Sequence, residues 1–448
     1  MQTLTIKKGL DLPIKGAPVQ EIDPTEKAVT RVAVLGDCFP GLKPTMEVQV
    51  GDIVKLGQLL FTDKKMPGVK FTAPGSGKVI EINRGAKRRF LSLVIALEGD
   101  DALTFKSYSE DALAAATSEE IQSNLIDSGL WTALRSRPMN KVAAPEEQPA
   151  AIFINGMDTN PLAPSVATII AENPNAFQFG LQVLARLREA KLFLTEQPNS
   201  KLPEANVEGL TRVSVEGPHP AGLPGTHMHF LSPVSRNRRA WHIMAQDVVA
   251  IGELFSTGQL NPGRIVAIGG PSVPNPRLIK TRMGACVSEL MAAETTEGDI
   301  RLIAGSVLSG THATGPLNYL GRYHQQISVL AESRKRRFLG WLLPPNKIHT
   351  VKNLTPYKFN NDYDFTTDAN GAERPIVPIG SYENVMPLDI VPTYLLRALA
   401  VDDVEEAEGL GCFELAEEDL ALCAYVCPSK IDHGANLRRV LDIIEKEG

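Results

Sequence analysis

Ser128-Gly129-Leu130-Trp131-Thr132-Ala133-Leu134-Arg135-Ser136-Arg137-Pro138-Met139-Asn140-Lys141 stands just upstream of a buried-looking strand, Ala151-Ile152-Phe153-Ile154-Asn155. A nucleotide- or flavin-binding protein places glycines at such a point. Without a Cβ, backbone N–H groups can approach phosphate oxygens. After Gly129 this chain puts Trp131, Leu134, two arginines and a proline instead. If a phosphate cradle belongs here, it is expected to be filled with side chains.

The flanking segments read as a Rossmann-like unit. Residues 110–129 carry Ile121 and Leu125, followed by Leu130, at helical spacing, with Gly129 as the stop, and predict one helix. Residues 138–149 read as a polar, proline-rich loop. Ala151 to Asn155, Lys191 to Thr195 and Thr211 to Val215 predict strands. Residues 175–190, with Phe177, Leu181, Leu184 and Leu187 on one face, predict a helix between the first two. Strand, helix, strand points to a parallel sheet with a βαβ crossover, and no Gly-x-Gly-x-x-Gly occurs in it. Residues 239–257 predict another helix, stopped by Asn261-Pro262-Gly263. Residues 264–269, 281–286 and 299–306 suggest a small sheet packed on one short helix at 288–291. Residues 388–401, 414–426 and 436–446 predict a small helical C-terminal domain.

Residues 1 to about 100 read as all-β. Val48 to Leu60 alternates around Gly51-Asp52, and Phe71-Thr72-Ala73-Pro74-Gly75-Ser76-Gly77-Lys78-Val79 opens a second half. The pairing resembles the biotinyl/lipoyl-type barrel-sandwich fold, whose carrier members hold a modified lysine on a tight hairpin. Asp63-Lys64-Lys65 occupies about that place. Residues 64–74 are expected to form a loop too long for such a tip, which predicts an ordinary basic loop. Gly75-Ser76-Gly77-Lys78 is a turn rather than a P-loop, since Val79 replaces the required hydroxyl and a strand follows.

At 448 residues the chain is too long for one core. Hydrophobic content of 43% and charged content of 22% are those of a soluble globular protein. A net charge of -6 gives no case for nucleic-acid binding. No apolar run is long enough to span a membrane, and the N-terminus has no signal core. The sparse cysteines, Cys38, Cys286, Cys412, Cys423 and Cys427, suit reduced thiols in a cytoplasm.

Two segments invite a functional reading. Residues 217–235 hold His219, His227 and His229. Alternating histidines on a strand could share a face, but no cysteine or carboxylate within the loop completes a metal set. Residues 332–345 join Arg334, Lys335, Arg336 and Arg337 to Phe338, Leu339, Trp341 and Leu342. Basic residues beside an aromatic-aliphatic run suit docking on a membrane surface or membrane-bound partner. Arg336, Arg337, Phe338 and Trp341 are the docking candidates.

Several segments together resemble the A-subunit family of the bacterial sodium-translocating NADH:quinone oxidoreductase. They include Ile6-Lys7-Lys8-Gly9-Leu10-Asp11-Leu12-Pro13, Pro67-Gly68-Val69-Lys70-Phe71, Asn83-Arg84-Gly85-Ala86-Lys87-Arg88 and Arg337-Phe338-Leu339-Gly340-Trp341. More distantly, the chain is similar to the C subunit of the Rnf complex and to the NADH-binding flavoprotein of complex I. The resemblance implies a barrel-sandwich domain (1–104), a Rossmann-like α/β domain without a nucleotide loop (105–258) and a soluble-ligand-binding β-grasp domain (259–330). A linker or docking segment (331–376) and a helical domain similar to a cluster domain with lost ligands (377–448) follow. It implies a peripheral subunit on the cytoplasmic side of the bacterial inner membrane, associated with ubiquinone and with the membrane subunits. FMN, FAD, riboflavin and iron–sulfur centres are expected on partner subunits. Cys412, Cys423 and Cys427-Pro428 leave one ligand short of the usual four for a cluster.

Quinone chemistry needs an apolar slot, donors for two carbonyl oxygens and a proton route, but no protein nucleophile. Leu35 and Phe39, after a strand, and Leu134, Arg135, Arg137 and Lys141, where relatives hold a cofactor, are the quinone-binding candidates. No catalytic residue and no metal site are expected. The alternative is a scaffold subunit that braces the membrane subunits and binds no ligand.

Overall fold

Ala151–Asn155, Lys191–Glu196 and Leu210–Glu216 each carry a buried run, and Ala151–Asn155 is buried throughout, as a strand covered on both faces requires. In the computed structural model, which describes residues 2–205, 207–334, 349, 351 and 362–447, they lie parallel in one seven-stranded sheet. Its order is Gln2–Thr5, Leu210–Glu216, Lys191–Glu196, Ala151–Asn155, Ala240–Met244, Arg135–Arg137, Lys141–Val142. The first five strands are parallel and the last two antiparallel.

Ala240–Met244 is a strand in the middle of this sheet, not the start of a helix as the sequence predicts; the helix runs over Ala245–Thr257. Five consecutive apolar or aromatic positions carry neither a two-fold nor a 3.6-fold period, so patterning cannot separate the two states. The helix expected over 110–129 is two, Glu110–Ala115 and Ser118–Asp127. Thr117 breaks it by capping the second helix, its hydroxyl accepting from the Glu120 N–H while the Glu120 carboxylate accepts from the Thr117 N–H.

Pro174–Leu187 and Ala245–Thr257 pack side by side on one face of the sheet, and they meet through glycines. A Cβ on Gly252 would lie 1.8 Å from the Ala176 carbonyl oxygen, and one on Gly180 would lie 2.1 Å from that of Val248. Gly252→Ala is therefore expected to destabilise the protein by about 1–3 kcal/mol, the range for overpacking, measured by urea unfolding.

The barrel-sandwich half has two sheets. One runs Arg31–Leu35, Phe90–Leu97, Gly77–Arg84, Ile53–Val54, and the other Pro44–Met46, Leu59–Asp63, Met66–Thr72. Phe61 stacks on Phe71 at 4.7 Å and meets the Phe90 edge at 5.2 Å between them. Lys64 and Lys65 form a tight two-residue turn between Asp63 and Met66, because Met66–Thr72 continues as a strand where a long loop is expected. The first strands leave this half. Gln2–Thr5 edges the seven-stranded sheet, and Val19–Glu26 edges a six-stranded one.

That six-stranded sheet runs Thr311–His312, Ile300–Ala304, Gln326–Ala331, Gly263–Gly269, Arg277–Arg282, Val19–Glu26. Its second hairpin strand is Arg277–Arg282, upstream of the predicted 281–286; Gly284, at φ +73°, lies beyond it in a turn. The C-terminal unit packs Ser381–Val385, Pro392–Ala400, Val404–Gly409, Ala421–Val426 and His433–Glu447 around Leu395, Leu399, Leu437 and Leu441. Among the described residues no helix is long and apolar enough to cross a membrane.

Candidate functional site

Gly129 closes the helix Ser118–Asp127 in the left-handed conformation, at φ +79°. A Cβ there would lie 2.2 Å from Thr72 Oγ1, and the Thr72 hydroxyl donates to the Ser128 carbonyl at 2.9 Å. This glycine thus joins the α/β unit to the barrel-sandwich. After it, Trp131 is fully buried. Its indole N–H donates to the Ala143 carbonyl at 2.7 Å, its ring meets Trp241 edge-on at 5.6 Å, and the Arg188 guanidinium lies over both rings. Side chains fill the space after the sheet's first turn.

A cleft opens beside Gly129 where three units meet. Leu35, Phe39 and Phe71 come from the barrel-sandwich, Ser128 to Leu130 and Thr132 from the α/β unit, and Met283, Leu320 and Arg322 from the six-stranded unit. The space it encloses is about 50 Å³, well below the roughly 300–1,000 Å³ of sites that bury a whole small molecule. Leu35 and Phe39 are 4% and 6% exposed, so their side chains form wall and not surface. Phe39 meets the ring edges of Phe71 at 4.8 Å and Tyr323 at 6.0 Å.

The remaining quinone candidates lie elsewhere. Leu134 is completely buried in the core behind the cleft. Arg135 stacks over the Tyr323 ring at 4.3 Å. Arg137 is fully buried away from the cleft: its Nη1 is 2.8 Å from Asp419 and its Nη2 3.2 Å from Glu418, both in the C-terminal unit. Lys141 is paired to Glu445. A strand pairing of Arg135–Arg137 with Ala240–Met244 directs this stretch into the interface between units instead of the cleft.

The polar end of the cleft comes from residues that sequence reading misses. The Arg322 side chain is 7% exposed; Nη1 donates to Asp247 Oδ1 at 2.8 Å and Nε to Thr132 Oγ1 at 3.4 Å. The same Asp247 oxygen accepts from Arg264. Asp247 is the one carboxylate among the buried residues of the helix Ala245–Thr257, and a buried acid on an apolar helix asks for a partner. Its partners, Arg264 and Arg322, lie 17 and 75 residues away in sequence.

The histidine segment is not a strand. Pro224–Leu231 is a helix, started by Pro224 as its first residue. His227 is buried, donating from Nε2 to the Ala221 carbonyl at 2.8 Å and meeting Thr195 Oγ1 at 3.0 Å through Nδ1. His219 meets Thr159 Oγ1 at 3.1 Å, and His229 accepts from the Asp389 N–H and donates to Glu414. The three rings take separate partners, and no group of three or more metal-ligating side chains occurs among the described residues. Cys412, Cys423 and Cys427 are buried free thiols. Burial pushes the Cys412 thiol up to about 12 and that of Cys423 higher still. Arg336, Arg337, Phe338 and Trp341 lie outside the described residues.

Fold and site together define a multidomain mixed α/β protein with a barrel-sandwich module, whose units meet at one mostly apolar cleft. Residues 4–98 match the "NqrA N-terminal barrel-sandwich hybrid domain", residues 116–260 the "NqrA second alpha/beta domain" and residues 265–315 the "NQRA C-terminal domain". The A subunit of the Na(+)-translocating NADH-quinone reductase from Pasteurella multocida (strain Pm70) is 51% identical over 446 residues, covering 99% of this chain and 100% of that protein. Its counterpart from Vibrio vulnificus (strain YJ016) is 52% identical over 447 residues, with the same coverage. The chain belongs to this family, the A subunits of the sodium-translocating NADH-quinone reductase, a respiratory oxidoreductase complex. A solved NAD+-reducing [NiFe]-hydrogenase chain aligns over 52% of each chain at 13% identity and a TM-score of 0.33, a likeness too slight to carry an inference.

Proposed function

We propose that this chain is a peripheral subunit of the sodium-translocating NADH:ubiquinone reductase, on the cytoplasmic side of the inner membrane. It contributes to quinone binding and to assembly with the membrane subunits, and it holds no redox cofactor of its own. The observation that carries the quinone role is the cleft. Leu35, Phe39 and Phe71 offer an apolar slot for a ring, and Arg322 puts a donor at one end of it. The isoprenoid tail would leave through the open mouth. Two features support the absence of a cofactor: Trp131 and Arg188 fill the space after Gly129, and the three C-terminal thiols are one short of the usual four cluster ligands. Electrons would then reach a quinone here from partner subunits that carry the flavins and iron–sulfur centres. Residues 331–376, with Arg336, Arg337, Phe338 and Trp341, would supply the docking contact.

A photoreactive ubiquinone analogue tests this on the isolated chain. Labelling is expected within the segments around Leu35–Phe39 and Ser128–Thr132, and excess ubiquinone should compete it away. Leu35→Trp puts an indole into the walled part of the slot and should reduce competable labelling by about tenfold or more, since a clash there displaces the ring. Labelling that is diffuse, or that ubiquinone does not compete, would favour a scaffold without a ligand.

A further inference from the structure

We infer that the Asp247-tethered guanidinium of Arg322 is the headgroup anchor of this cleft, donating to a quinoid oxygen and favouring ligands whose oxygen carries negative charge. The inference rests on the assignment of quinone to the cleft. Arg322 lines the cleft, and its Nη2 is buried with no hydrogen-bond partner among the described residues. A buried guanidinium donor left unmade is costly, and native structures rarely keep one without a use. The other donors of the group are engaged with Asp247 and Thr132, which fix its plane. Because Asp247 gives the same oxygen to Arg264 and to Arg322, a two-pronged carboxylate grip on Arg322 does not form, and Nη2 stays free.

The charge count points the same way. Two guanidiniums share one carboxylate, and side-chain exposures are 7% for Arg322, 8% for Arg264 and 6% for Asp247. Arg135, over the neighbouring Tyr323 ring, adds a further cation. Glu253, the other carboxylate acting on Arg264, accepts from the Asn173 and Asn261 amides at 2.7 and 2.8 Å and keeps its charge, so three guanidiniums stand against two carboxylates. The polar end of the cleft is therefore net positive, and its apolar walls weaken screening of that charge.

Equilibrium dialysis of the full chain with a matched pair of probes tests this. 2-Hydroxy-1,4-naphthoquinone is ionised at neutral pH, whereas its O-methyl ether is neutral with nearly the same shape. The wild-type chain should bind the hydroxy compound about tenfold or more tightly than the ether, as a charge-assisted hydrogen bond implies, and ubiquinone-1 should displace both. Arg322→Gln should abolish the preference, and Arg322→Lys, which keeps the charge without the planar fork, should retain part of it. Asp247→Asn should weaken the preference without contacting the ligand. If wild-type chain binds ubiquinone-1 and Leu35→Trp removes that binding, but Arg322→Gln keeps the full preference, the anchor is wrong and the quinone cleft stands. If neither probe nor ubiquinone-1 binds wild-type chain, the quinone reading itself fails and takes the anchor with it.

Discussion

Arg137→Ala is expected to lower the stability of the protein by about 3–5 kcal/mol, the cost of removing one partner from a buried ion pair. Arg137 is 0% exposed and Asp419 2%. The guanidinium also reaches Glu418 and the Glu414 carbonyl, so one side chain from the central sheet holds the start of the last helical layer. Without it, Asp419 stays buried beside Glu417 and Glu418, and its Oδ1 already lacks a hydrogen-bond partner. Oδ2 would keep only the Ala416 N–H at 2.8 Å. Coulomb attraction at the low dielectric of that site is what offsets desolvation, and the alanine removes it while leaving the desolvated carboxylate. Urea unfolding should show the C-terminal unit releasing first, with early proteolytic cleavage between residues 362 and 381. Asp419→Asn in the Arg137→Ala background keeps an acceptor for Ala416 and removes the stranded charge, so it should restore more than about 1 kcal/mol. An unchanged midpoint for Arg137→Ala would mean that the pair does not hold the unit.

The same residue shows where sequence reading reached and where it stopped. The stretch 128–141 announces large side chains where a phosphate loop would need glycines, and Trp131 and Arg137 are indeed buried there. It does not announce that Arg137 points to Asp419, 282 residues on, because ion pairs leave no local period. The βαβ core was legible from apolar runs flanking an amphipathic helix. Ala240–Met244 was not, since a short, wholly apolar strand looks like the first turn of the helix behind it. Gln2–Thr5 and Val19–Glu26 carry no sign of sheets more than 200 residues away. Leu35 and Phe39 could be suspected of facing a ligand from their place after a strand. Arg322 and Asp247 could not, because each reads as ordinary until the other is placed against it.

Below pH 6.5 the protein is expected to lose stability steeply. Desolvation, the largest cause, lowers His219, His227, His324 and His433 each to about 4. His242 is held well below 6.5 by burial first, then by Arg135 and Arg137. Each ring is thus neutral in the folded chain, while in the unfolded chain it titrates near 6.5. Above 6.5 neither state binds the proton and the full stability is present. As pH falls from 6.5 toward 4, the unfolded chain takes up protons that the folded chain refuses, and stability is lost across that window. Each ring contributes up to about 1.4 kcal/mol per pH unit, so the five together give at most roughly 7 kcal/mol per unit in the middle of it. The geometry explains the refusal. His227 spends Nε2–H on the Ala221 carbonyl and receives the Thr195 hydroxyl at Nδ1, so a second proton has no acceptor; His433 has no hydrogen-bond partner at either nitrogen among the described residues. The Glu294 carboxyl, lowered to about 2 chiefly by Arg277, adds a separate loss at lower pH, as it falls from 4.5 toward 2. His227→Gln keeps a donor for Ala221 and cannot titrate. Urea midpoints measured through the window should therefore fall less steeply in that variant, by about a fifth of the wild-type slope. A wild-type midpoint that stays flat between 6.5 and 5, about one unit above these lowered values, would show that the imidazoles are not held neutral.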